Sequence, residues 1–329
     1  MLCCYVMLIE LSGKSFIPYM IGLYEIAFVT GYFLLPIIAY FIREWRQLQL
    51  VTSAPWFLVV TYYWLLPESP RWLITVGKKK EAVEILTLIA KRNNRPVVGI
   101  EAVVEKIHTE MATRNQQTGS YMDLFRTPKI RFYNFVSCFV WMCCSLTFFG
   151  INQYIGRLQG NLYLNVMLSA ASLAPSLVVV VIGALYLSRK ACVITSFSVA
   201  AIALLIFIFI SKDKSSVILA FAIIGQIGAF TSFVLIYLFT SEVFPTLVRN
   251  SAMGFCSMFA RFGGFIAPFV VNIGIEWVSI LVFSVLAFAA AGMCCLLPET
   301  KGRTLSNSIE QAENTNVKVQ SQNINVKTL

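Results

Sequence analysis

The sequence predicts an all-α fold, a polytopic bundle of membrane-crossing helices, and three observations predict it. Hydrophobic residues make up 58% of the 329 and charged residues only 13%, about half the charged fraction of a soluble domain. The apolar residues gather in eight blocks, near 17–42, 47–66, 132–153, 163–187, 191–211, 217–241, 251–273 and 277–297. Each reaches the ~20 residues that cross a bilayer as helix, and a helix satisfies its own backbone hydrogen bonds in hydrocarbon. The third observation is where the charges lie. With residues 67–131 in the cytoplasm, both termini fall inside and 20 of the 26 Lys and Arg residues lie on that side. Five (Arg43, Arg46, Arg157, Lys212, Lys214) lie outside, and Arg261 lies within a span. That asymmetry follows the positive-inside rule, so the net charge of +10 reads as topology and no nucleic-acid partner is expected.

The blocks at the two ends of the chain echo each other. Leu65-Leu66-Pro67-Glu68-Ser69-Pro70-Arg71-Trp72-Leu73 closes the second block and Leu296-Leu297-Pro298-Glu299-Thr300-Lys301-Gly302 closes the eighth. Glu10 precedes Gly22 by 12 residues, as Glu242 precedes Gly254 by 12; Glu10 to Pro67 is 57 residues and Glu242 to Pro298 is 56. Residues 10–73 therefore read as a parallel copy of 242–305, the pattern of a transporter built from two similar halves. In the second half, 111 residues separate Arg131 from Glu242, whereas nine precede Glu10. The expectation is a bundle of about eight full spans out of an original twelve, with the first three and most of the fourth absent. An eight-span protein with an accidental repeat is the alternative.

Between the halves, Ala82, Ile85, Leu86 and Ile89 at helical spacing predict an amphipathic helix over 78–92, ended by Asn93-Asn94-Arg95-Pro96. Val103, Val104, Ile107 and Met111 predict a second over 100–111. The chain thus divides into 1–66, a remnant of the first half with a partial fourth span and the fifth and sixth; 67–130, a cytoplasmic loop with short helices; 131–305, a six-span second half; and 306–329, a polar cytoplasmic tail expected to be disordered.

These strings resemble a known family. Pro67–Leu73 and Pro298–Gly302 are similar to the ends of the two halves of major facilitator transporters, sugar porters included. Tyr121-Met-Asp-Leu-Phe-Arg-Thr-Pro128, Gly160-Asn-Leu-Tyr-Leu164 and Ser241-Glu-Val-Phe-Pro-Thr-Leu-Val-Arg-Asn250 resemble the organic cation, organic anion and carnitine transporter family. The resemblance runs over residues 5–305 and implies a major facilitator fold in the plasma membrane. The family's large extracellular loop between its first two spans has no counterpart here.

An ionisable group in a membrane helix is costly unless it faces a cavity or a partner. Glu25 and Arg261 are the two that lie well inside the blocks. Arg261 sits mid-span, where a permanent guanidinium suits a carboxylate or an ion pair with Glu25. By the resemblance, cation carriers hold an acidic residue at position 261 and another where this chain has Leu173, whereas anion and carnitine carriers hold arginine at 261. Both departures favour an anionic or zwitterionic substrate. The resemblance also places Phe28, Trp141, Phe148, Tyr237 and Gln226 at cavity-lining positions. A second charged set is expected at the cytoplasmic gate: Arg189, Glu242, Arg249 and Glu299, with Glu10, Glu68 and Arg71 as first-half counterparts whose partners fall in the missing region. The family's acidic loop motif survives between spans eight and nine only as Leu185-Tyr-Leu-Ser-Arg-Lys190.

The expected function is secondary transport of a small organic ion, carnitine-like in preference to a simple cation, by alternating access, with the lipid bilayer as the other partner. Because a two-half cavity needs both halves, this chain alone is expected to be inactive. A sugar-porter-type carrier and a non-transporting truncated isoform are the alternatives. No enzyme, cofactor or metal chemistry is expected. The nine cysteines all lie in apolar blocks, His108 is the sole histidine, and no nucleophile–base pair or phosphate loop occurs.

Overall fold

The computed structural model describes residues 17–61, 67–113, 121–211, 214–245 and 248–300. The stretch holding Glu10 and the tail 306–329 lie outside them. Every regular element among the described residues is helical. Helix α1 runs Ile17–Phe41 and α2 Trp45–Ser53, continued by a 3₁₀ segment, Ala54–Thr61. Three short helices follow: α3 Pro70–Val76, α4 Lys79–Arg92 and α5 Ile100–Thr113. A single turn, α6 Asp123–Arg126, precedes six long helices: α7 Pro128–Ile155, α8 Leu162–Tyr186, α9 Arg189–Ile208, α10 Ser215–Val243, α11 Arg249–Val271 and α12 Glu276–Cys294. These six are long and apolar enough to cross a membrane, and α1 carries a shorter apolar stretch, Glu25–Phe41.

The chain forms two compact units. One contains Glu25–Ile37 and all residues from Gly119 on. Apart from α11, its long helices are apolar all round with little amphipathicity, so small residues decide who packs with whom. A Cβ on Gly263 of α11 would run into the Met142 carbonyl oxygen of α7. A Cβ on Gly228 of α10 would lie 2.7 Å from the Ser196 carbonyl oxygen of α9. Some hydroxyls inside the spans donate to backbone carbonyls: Ser196 Oγ donates to Cys192 O at 2.7 Å, and Ser284 Oγ crosses from α12 to Ala201 O on α9 at 2.8 Å. Helix α7 is the most enclosed, 78% of its apolar window being buried, while α11 is 28% buried and keeps a broad free face.

The other unit contains α2 to α5. Ser69 caps α3 by accepting from Trp72 N, Pro70 sits in the first turn, and Gly77 ends the helix with φ +87°. Leu73, Ile74, Ala82 and Val104 form its core, flanked by Ile85, Leu86 and Ile107. Of the residues expected on the apolar face of α5, Val104 is buried and Ile107 packs beside it, whereas Val103 is exposed. Lys79 Nζ donates to Glu105 Oε1 at 2.7 Å, and that bond holds the Glu105 carboxyl below its ordinary pKa.

One expectation needs correction. The block at 47–66 is not a continuous α-helical span among the described residues. Pro55 lacks an N–H and its ring clashes with the carbonyl four residues back, so the α-helix stops at Ser53 and the chain tightens into 3₁₀ form.

Candidate functional site

Helices α7 and α10 lie antiparallel, and their contacts fix the register. Trp141 of α7 stacks at 4.4 Å on Tyr237 of α10, and its Nε1 donates to Thr240 Oγ1 at 2.8 Å. Two turns along α7, Phe148 meets Phe233 at 5.2 Å and Phe230 at 5.6 Å. Phe230 is in turn stacked on Phe28 of α1, centroids 6.0 Å apart and planes 15° apart. The rings form one continuous wall from Trp141 to Phe28, joined on α10 by Phe233 to Tyr237 at 5.7 Å. Of the aromatic residues singled out in the sequence, all four (Phe28, Trp141, Phe148, Tyr237) belong to this wall. Trp141 and Phe148 are each 2% exposed, so in this conformation they are packed and do not line an open cavity. Phe230 and Phe233 were missed, although the spacing of Phe230, Phe233 and Tyr237 on one face of a helix was readable.

Arg261 stands apart from the wall but level with it. Gly263 packs on α7 at Met142, next to Trp141. Two residues back is about 200° around the helix, so Arg261 faces away from α7, and it is exposed. Among the described residues no hydrogen bond or ion pair engages it. The pairing with Glu25 considered above is not formed among the described residues; Glu25 is half-buried on α1, within a turn of Phe28. Gln226 is fully buried, and among the described residues neither its Nε2 nor its Oε1 finds a partner.

The charged set assembles differently from its sequence expectation. Arg189 Nε lies 3.4 Å from Glu242 Oε1, and its Nη1 donates to Ala184 O. Glu242 Oε2 accepts from Thr300 Oγ1 at 2.6 Å. Glu299 Oε1 accepts from Arg189 N at 3.0 Å, placing a carboxylate at the start of α9, where the helix dipole favours it. Arg189, Glu242 and Glu299 thus brace the ends of α8, α9, α10 and α12 inside one compact unit. Arg249 is half-buried at the start of α11, and Glu68 is exposed before α3. Glu10 lies outside the described residues, as does the Arg71 side chain.

At the opposite end of the six helices, a cavity of about 650 Å³ is lined by Tyr154, Arg157, Phe207, Asn272, Glu276 and Trp277, among others. Arg157 Nη2 donates to Asn272 Oδ1 at 2.6 Å. This cavity contains none of the sequence-predicted residues, and hydropathy carries no signal for it. Among the described residues no group of three or more His, Cys, Asp or Glu side chains is placed to hold a metal ion.

The family described as "Sugar (and other) transporter" matches residues 2–311. Solute carrier family 22 member 1 of Bos taurus is 34% identical over 94% of this chain and 55% of its own length. Solute carrier family 22 member 2 of Homo sapiens is 33% identical over 94% of this chain and 56% of its own. The organic cation transporter protein of Drosophila melanogaster is 33% identical over 95% and 59%. The chain therefore spans little more than half the length of these relatives. Among solved structures, the major facilitator proton:xylose symporter XylE bound to 6-bromo-6-deoxy-D-glucose matches with a TM-score of 0.68. The match covers 92% of this chain and 68% of that one, and at 19% identity it is a likeness of fold alone.

Proposed function

The chain belongs to the sugar (and other) transporter family of the major facilitators, in its organic cation transporter branch; on that premise we propose that it serves alternating-access transport of an anionic or zwitterionic, carnitine-like ion. It is an integral membrane protein and not an enzyme. The observation that carries the substrate class is Arg261: a permanent cation at mid-span, exposed, and without a hydrogen-bond or ion-pair partner among the described residues. Such a group in a membrane helix calls for a counter-charge, and a carboxylate matches its fork. The half-buried rings of the wall, Phe28 and Tyr237, are the faces we assign to an ammonium group or apolar body once the packed wall opens, whereas a plain cation is repelled by Arg261.

We also place both termini in the cytoplasm of a plasma-membrane protein, on the Lys and Arg asymmetry. In that orientation the Arg189–Glu242–Glu299 brace lies at the cytoplasmic ends of the second half. Being built within one unit, it supports rigid movement of that half, and Arg249 at the start of α11 is assigned to the same gate. By the repeat, Glu10 matches Glu242 and Glu68 matches Glu299, and Arg71 follows Glu68 in the first-half motif.

The test is equilibrium binding of labelled carnitine to membranes holding the chain, with tetraethylammonium as the plain-cation competitor. Carnitine should bind more tightly, and Arg261→Ala should weaken it about tenfold or more, the scale of one charge-assisted bond. Tighter binding of tetraethylammonium, or indifference to Arg261→Ala, refutes the substrate class.

A further inference from the structure

One helical turn beyond the aromatic wall lies a polar layer that the substrate reading does not use. Tyr32 Oη donates to Asn152 Oδ1 at 2.6 Å, and Ser169 Oγ donates to the same oxygen at 3.1 Å. Asn152 Nδ2 donates to the Phe148 carbonyl at 3.0 Å. Both acceptor positions of Asn152 are thereby filled, and α1, α7 and α8 are pinned together through one side chain. Tyr32 also stacks on Phe28 at 6.1 Å, so the bond that holds its hydroxyl steadies the Phe28–Phe230 stack below it.

The register of α7 against α10 places a fourth member in this layer. Trp141 meets Tyr237 and Phe148 meets Phe230, so each step forward on α7 is a step back on α10. One turn past Phe148 is Asn152, and one turn back from Phe230 is Gln226. Gln226 therefore lies at the level of Asn152, on the same face of α10 as Phe230. Its burial is complete, and its amide oxygen and nitrogen are both without a partner among the described residues. A buried amide left unpaired opposes the conformation that buries it, while the Tyr32 and Ser169 bonds favour that same conformation.

We propose that Tyr32, Asn152 and Ser169 form a latch that closes over Gln226, with the orphaned Gln226 amide as a counterweight that keeps the latch able to open. Opening parts α1 from α7 and lets the Gln226 amide reach hydrogen-bonding partners. Closing makes the Tyr32 bond and completes the ring stack. Two opposed polar terms at one layer hold the two states near balance, as a reversible gate requires. The inference rests on contacts within one compact unit and holds whatever the transported ion is.

The test reads Tyr32 itself. Nitration of the full-length chain in membranes with tetranitromethane, followed by mass spectrometry, reports how often the Tyr32 ring is released. The exposed Tyr40 and Tyr186 serve as references in the same sample. Asn152→Leu removes the acceptor and should raise nitration of Tyr32 about fivefold relative to the references, the scale of one net hydrogen bond. Asn152→Asp keeps an acceptor oxygen and should stay within about twofold of the parent chain, less than that bond is worth. Gln226→Leu removes the counterweight and should lower Tyr32 nitration about fivefold. Misfolding cannot imitate that last result, because unfolding raises nitration; if Asn152→Leu fails to fold, the Gln226→Leu arm decides alone. Equal nitration in the parent and Asn152→Leu chains overturns the latch. Unchanged or increased nitration in Gln226→Leu overturns the counterweight.

Discussion

Residues 189–208 and 45–61 both contribute to blocks apolar enough to be read as membrane spans, yet they differ in what surrounds them. The first forms one α-helix, α9, with nine residues buried, among them Cys192, Ser196, Phe197, Ala200 and Ala201. The second breaks at Pro55 and buries none. The contrast lies in the small residues. Along α9, Ser196 and Ala200 let Gly228 of α10 approach backbone to backbone, and Ala201 accepts a hydrogen bond from Ser284 of α12. Residues 45–61 present Trp45, Leu50, Trp56, Phe57 and Leu58 outward, bulky groups suited to contact with lipid or another surface. Apolar character takes a segment out of water; small residues at matching positions give it neighbours.

The comparison can be broken most sharply at the closest helix crossing. Gly263→Leu should destabilise the six-helix unit by about 3 kcal/mol or more, since the new side chain meets the α7 backbone and neither can yield. Gly292→Ala, where a Cβ meets nothing within 4 Å, should instead be neutral or stabilise by up to ~1 kcal/mol. Thermal unfolding in one detergent compares the two; equal midpoints would mean that the crossing is not the organising contact.

Next in size is Glu242→Gln. It leaves Arg189, whose side chain is 13% exposed, without its counter-charge, and should cost about 2 kcal/mol, read from the same midpoint.

Pro55→Ala sharpens the other side of the comparison. Removing the ring and restoring the N–H should let α2 continue past Ser53, seen as added helical signal in circular dichroism. The unfolding midpoint should stay within ~0.5 kcal/mol of the parent, because nothing is buried along that segment. A large loss of stability would show packing there.

The smallest effect concerns the short-helix unit. Because the Lys79 bond lowers the pKa of Glu105 in the folded state, its contribution is present above the ordinary carboxylate range. It is lost as pH falls through the lowered value. Protection factors over residues 79–92 and 100–113, taken against the intrinsic exchange rate at each pH, should fall on acidification more in the parent chain than in Glu105→Gln. The difference at neutral pH should shrink in high salt, since both partners are exposed.

Much of this was legible in the sequence, and the reasons are local. The blocks that became α7 to α12 announced themselves by length and hydropathy, and Asn93–Pro96 marked the end of α4 through turn chemistry. The helical spacing of Ala82, Ile85 and Leu86 is the same spacing that packs on Leu73 and Val104. Arg261 stood out because a fixed charge in a span has no local excuse. The polar layer was invisible for the opposite reason. Asn152, Ser169 and Tyr32 are unremarkable in their own segments, the resemblance marked only Gln226, and the meaning of the layer arises from register between helices far apart in the chain.

The sequence by itself determined that the chain leaves water, that it does so as helices, and which way its charges bias it, because transfer free energy and backbone hydrogen bonding act segment by segment. The tertiary structure alone decided that Arg189, Glu242 and Glu299 would close a brace within one unit, and that the aromatic wall would end in the Tyr32–Asn152–Ser169 layer. Those outcomes depend on which glycine meets which backbone and which ring faces which, and packing sets them between segments.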